Sequence, residues 1–145
     1  MLSTLLVAWA LVVVTVTVHT IGLTVLIRAL GRSHGHLPTR FVPITWLLIR
    51  LTWWLIVIHL IDISIWGLFY FWQGCLPDAE SSFYFAGVTY TTVGYGELVL
   101  EVPWRMLAPV EALTGILMCG LSAGVFFAVV SRLYAPHLET NQKGE

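Results

Sequence analysis

Three stretches of the chain are apolar on every face, about Leu5 to Ile27, Leu51 to Trp72 and Met106 to Val130, with the polar residues gathered between them. A helix that is hydrophobic all round belongs in a membrane or in the heart of a large protein. Each run is close to the roughly 20 residues a helix needs to cross ~30 Å of hydrocarbon, so three transmembrane helices are predicted. Between the second and third runs the pattern breaks at Gln73-Gly74-Cys75-Leu76-Pro77. Asp78 then supplies a good N-cap, and Ala79 to Tyr90 is long enough for a helix but too short to span a bilayer. This segment reads as a re-entrant half-helix whose negative dipole end faces whatever lies beyond Thr91 and favours a cation there.

What lies beyond is Thr91-Thr92-Val93-Gly94-Tyr95-Gly96-Glu97. Glycine accepts dihedrals that other residues avoid, so Gly94 and Gly96 let successive carbonyls turn the same way instead of alternating as in a strand. Irregular backbone survives at membrane depth only when buried in protein or lining a wet path, which points to a pore. Downstream, Pro103-Trp104-Arg105 opens the third span, in which Gly115, Gly120 and Gly124 permit bending or close helix approach; Gly120 and Gly124 have the GxxxG spacing. The other connections are a polar linker, Gly31 to Pro38, and a stretch from Phe41 to Arg50 that Pro43 interrupts and that suits the inner surface. The expected divisions are therefore 1–30 for the first helix, 31–50 for the linker and interfacial segment, 51–134 for the module holding the loop, and 135–145 for a short polar tail expected to be disordered.

At 58% hydrophobic, 10% charged and a mean hydropathy of +0.86, the 145-residue chain leaves no room outside the bilayer for a catalytic or ligand-binding domain. Seven basic against eight acidic residues give no basic patch for nucleic acid, and neither a nucleophile constellation nor a phosphate loop appears, so no enzyme and no small-molecule substrate are expected. Charge distribution orients the chain. Arg28, Arg32 and Arg40 follow the first span and Arg132 and Lys143 follow the third, whereas the glycine-bearing loop has Arg105 among Asp78, Glu80, Glu97 and Glu101. By the positive-inside rule the linker and C-terminus are cytoplasmic, and the loop and N-terminus lie outside. The start lacks a basic n-region, and its apolar run is too long for a cleaved signal, so a retained span is expected.

Helix, short re-entrant helix, TTVGYG and helix resemble, over about Leu51 to Tyr134, the pore module of potassium channels, of the small prokaryotic type with one additional N-terminal helix. The resemblance implies an all-α integral membrane fold: outer helix 51–72, pore helix 79–90, filter 91–97 and inner helix 103–134, with four copies around one axis in a homotetramer of the plasma (inner) membrane. It implies that Thr92, Val93, Gly94, Tyr95 and Gly96 bind dehydrated K⁺, mainly through carbonyls, with Tyr95 packing sideways against the pore helices. Gly115 falls near the family's inner-helix hinge, and Ile116, Cys119, Ala123 and Phe127 then share a helical face that would line the cavity, Phe127 acting as a hydrophobic constriction. Glu97 stands where the family usually has Asp, and Tyr84 stands where many members have Trp. A Tyr84 to Glu97 hydrogen bond, beside Thr91, is therefore expected to brace the filter.

Ionisable residues inside spans are costly and face a cavity or a partner. His59, Asp62 and Glu111 form a candidate network: Asp62 and Glu111 at similar depth, His59 and Asp62 on one helix face, and Glu111, just past Pro109, within reach of Ser82 or Thr89. Its two readings are a structural network and a proton-sensing gate. His34 and His36 in the linker are too few to define a metal site. Cys75 is chemically able to bridge subunits and Cys119 reads as a small hydrophobe. Alternatives to the K⁺ channel are a weakly selective cation channel, a non-conducting auxiliary subunit, and a haem-binding subunit using His19 and His59, which would have no use for the loop.

Overall fold

The computed structural model describes residues 2–33 and 41–142 and is all-helical, with no strand among the described residues. Helix α1 runs Leu2–Ser33, α2 Phe41–Trp72, α3 Ala79–Tyr90 and α4 Leu107–Gln142, the last preceded by a 3-10 turn at Trp104–Met106. Three helices are long and apolar enough to cross a membrane, over Leu2–Arg32, Ile44–Trp72 and Trp104–Leu133. The chain is an integral membrane protein in which α3 is the short helix held between α2 and α4.

Two boundaries differ from the sequence pattern. The stretch from Phe41 to Arg50 is not a separate interfacial segment but the beginning of α2. Pro43 sits in the first turn, where the missing N–H has no intrahelical acceptor to lose. Helix α4 likewise continues beyond 134 as far as Gln142. The paired histidines His34 and His36 and the last residues, 143–145, lie outside the described residues.

The packed interior is thin and lies along the helix seams. Its outer part joins Trp66 and Tyr70 of α2, Phe85, Ala86 and Tyr90 of α3, and Leu107 and Met118 of α4. Its inner part joins Leu23 and Leu26 of α1 to Leu51, Leu55 and Ile58 of α2. Much apolar surface remains open in the single chain, including Trp9, Trp72, Ile116 and Phe127, which is what lipid contact and further copies of the chain require.

Candidate functional site

The site starts at the cap of α3. Asp78 has extended backbone, and its carboxylate accepts from the Ser81 N–H at 2.7 Å, fixing where the half-helix begins. At the other end the chain folds back on its own last turn. The N–H groups of Thr91, Thr92 and Gly94 donate to the carbonyls of Gly87, Thr89 and Val88 at 3.1, 2.9 and 3.0 Å, and the Thr91 hydroxyl also donates to Gly87 at 2.7 Å. Three of the loop's N–H groups are thereby turned back onto the last turn of α3. The loop carbonyls, from Thr92 to Gly96, accept no backbone hydrogen bond among the described residues.

Their direction follows from the dihedrals. Thr92, Gly94 and Gly96 have φ of 63°, 50° and 88°, alternating with Val93 and Tyr95 at negative φ. Alternation in the sign of φ lets successive carbonyls turn toward the same side instead of alternating as in a strand. Thr92 is the only non-glycine residue with positive φ among those described, and such a conformation in a β-branched residue costs on the order of 1–3 kcal/mol. The loop is exposed in the single chain, Tyr95 at 72%. Tyr95 therefore packs little against its own chain. Beside the loop, the Tyr84 hydroxyl donates to the Glu97 carboxylate. That bond, first among several causes, raises the pKa of the exposed Tyr84 phenol above its usual value.

Gly115 sits where α4 crosses the end of α3. A Cβ added there would lie 1.9 Å from the Tyr90 carbonyl oxygen, so no other residue allows this approach. The inner helix rests on the last carbonyl before the loop. Gly120 has open space around it, and α4 passes both positions without interruption. Ile116, Cys119, Ala123 and Phe127 are all exposed, Phe127 at 71%, and lie on one side of α4.

The buried polar residues separate into two groups, where the sequence suggested one. Glu111, fully buried, accepts from the Tyr70 hydroxyl at 2.7 Å, so its partner comes from the last turns of α2 and not from Ser82 or Thr89. Ser82 bonds instead to the Asp78 carbonyl at 2.8 Å. His59 and Asp62 share a helix face but meet through a third residue. The Tyr90 hydroxyl donates to Asp62 Oδ2 at 2.9 Å and lies 3.1 Å from His59 Nδ1. Asp62 Oδ2 also pairs with His19 Nδ1 at 2.6 Å, and His19 Nε2 is 3.2 Å from Ser122 Oγ. All four helices thus contribute to one buried cluster. Sequence reasoning had placed His19 near His59 but had no role for Tyr90 or Ser122. The available signal for Tyr90 was a hydroxyl-bearing ring on the last turn of a half-helix that must point inward. The His19 and His59 rings, 5.0 Å apart, are too close to hold a haem between them.

Cys75 and Cys119 are both free in the chain, Cys75 half-buried and Cys119 exposed; burial pushes the Cys75 thiol up.

These features define a loop, held between two membrane-spanning helices, whose carbonyls accept no backbone hydrogen bond among the described residues. The family model described as "Ion channel" matches residues 56–132, more than half of the chain, and the protein belongs to that ion-channel family. The match takes in just over half of α2, all of α3 and the loop, and α4 as far as Arg132. No curated protein and no solved structure matches the chain at a significant level.

Proposed function

We propose that the protein is a potassium-selective channel, conducting dehydrated K⁺ passively along the four-fold axis of a homotetramer. The observation that carries this reading is the alternation of positive φ at Thr92, Gly94 and Gly96 behind a capped half-helix, with carbonyls from Thr92 to Gly96 that accept no backbone hydrogen bond among the described residues. Carbonyls freed in this way can replace the water shell of K⁺, and the C-terminal dipole of α3 adds favourable potential. Thr92, Val93, Gly94 and Tyr95 are the proposed ligands. Four loops are needed to surround an ion, and the exposed loop and exposed face of α4 in the single chain are the surfaces a tetramer would cover.

In this reading the loop and N-terminus face outward from a plasma (inner) membrane. The outer mouth then carries Glu80, Glu97 and Glu101, which raise the local cation concentration. The inner half of α4 forms the gate, with Phe127 as its constriction and Gly115 and Gly120 as the positions where it bends. Proton sensitivity, where present, enters through Glu111, whose Oε1 is buried without a partner. The groups facing it are Tyr70, which bonds to it, and Tyr90, with Cys75 beyond Tyr70. Glu111→Gln should shift the pH dependence of current; identical titrations in wild type and variant remove that role.

The deciding experiment is reconstitution in liposomes or planar bilayers, with reversal potentials read under opposed K⁺ and Na⁺ gradients. A reversal near the K⁺ equilibrium potential is expected. One close to zero would make the protein a weakly selective cation channel, and no flux would make it an auxiliary subunit.

A further inference from the structure

The cluster where α1 meets α2 has a composition that the conduction pathway does not use. One ligand atom each from His19, His59 and Asp62 lies within 4.8 Å of the others. His19 and Asp62 are fully buried. Donors around a tetrahedral ion with bonds of about 2.0–2.2 Å stand roughly 3.3–3.6 Å apart, so small side-chain adjustments close the site on an ion.

Two further observations point to a ligand. Asp62 Oδ1 is buried and has no hydrogen-bond partner among the described residues, leaving the carboxylate with unused capacity beside two imidazoles. The second ring nitrogen of His19 already meets Ser122 Oγ at 3.2 Å, the outer contact that fixes a histidine's tautomer and orientation in metal sites.

We propose that His19, His59 and Asp62 form a binding site for a divalent transition-metal ion of the zinc type, joining α1 to α2 behind the end of the pore helix. Two imidazoles and one carboxylate suit Zn²⁺ and Co²⁺, whereas Ca²⁺ and Mg²⁺ call for oxygen ligands in larger number. The fourth position falls to water or to the Tyr90 hydroxyl, 2.9 Å from Asp62 Oδ2. With the metal on His19 Nδ1, the neutral imidazole carries its single proton on Nε2, and Ser122 Oγ accepts that N–H. Because the Tyr90 hydroxyl bonds to the same carboxylate that would take the metal, occupancy is felt one residue before Thr91.

The test uses the full chain, purified in detergent and stripped of metal, titrated calorimetrically with Zn²⁺ and by visible absorption with Co²⁺. About one Zn²⁺ per chain is expected, and the Co²⁺ complex should show the intense bands of a four-coordinate N/O site, bleached by Zn²⁺. His59→Gln, at the least buried of the three positions, should weaken binding at least about tenfold, and Ser122→Ala by roughly tenfold. His34→Ala with His36→Ala should leave binding unchanged. The proposal is overturned by a wild-type chain that shows no saturable binding, by wild-type affinity in His59→Gln, or by loss of binding in the linker double variant. Should His59→Gln fail to fold, the wild-type Co²⁺ spectrum and Ser122→Ala decide. Neither titration depends on conduction, so failure here leaves the channel reading standing, and failure of conduction leaves this site standing.

Discussion

Tyr84 and Glu97 are bonded beside the loop, and the bond joins α3 to the residue that follows Gly96. Tyr84→Phe removes the donor and keeps the ring. Conduction should then decline faster during sustained opening, which macroscopic current recordings would measure. The phenol's raised pKa sets the pH window. A tyrosine whose folded pKa lies above its unfolded value of about 10 keeps its proton, and the bond, at all lower pH, and loses them only as pH climbs through the higher value. Recordings between pH 7 and 9 should therefore show no alkaline loss that Tyr84→Phe abolishes. Gly115→Ala puts a methyl group against the Tyr90 carbonyl, so either α4 or the end of α3 must move. Reconstituted Gly115→Ala should give no K⁺ flux above empty liposomes while still inserting in the membrane. The Tyr84 and Glu97 pair was readable in the chain because motif and partner sit at a fixed offset on one continuous segment. The Tyr90 hydroxyl was not, since its partners come from α2 and its position depends on how three helices are rotated about their own axes.

At the scale of elements, the spans were legible because length and uniform apolarity suffice to define them, and the half-helix because Asp78 and the loop bracket it. The start of α2 was not legible, since Pro43 reads as a break wherever the number of preceding helical residues is unknown. Capping gives α3 its own test: Asp78→Ala should cost about 1 kcal/mol, seen as a lower thermal midpoint in detergent. The join between α1 and α2 is more sensitive. His19→Leu leaves the buried Asp62 without one of its hydrogen-bond partners, a loss of about 1–3 kcal/mol, whereas replacing both residues by leucine should recover much of it. Thermal unfolding of the two variants in detergent checks the order. Equal losses would mean that the pair does not fasten the helices. The partner of Glu111 was missed for a related reason: sequence places Ser82 and Thr89 on the neighbouring pore helix, but only the packing of α2 on α4 brings Tyr70 to it.

For the whole molecule, the exposed loop and the exposed Ile116, Cys119, Ala123 and Phe127 are the surfaces that would form one quarter of the pore in the proposed tetramer. Phe127→Ala should raise the leak of the closed channel in flux assays, whereas an unchanged leak would place the constriction elsewhere. The contact between Gly115 and the Tyr90 carbonyl gives this arrangement a mechanical consequence. If the lower part of α4 swings about Gly115, its fulcrum is the same peptide group that hands the chain on to Thr91. The inner mouth and the ion sites are then two ends of one lever: widening the first loads the second, and ions seated in the second resist the swing.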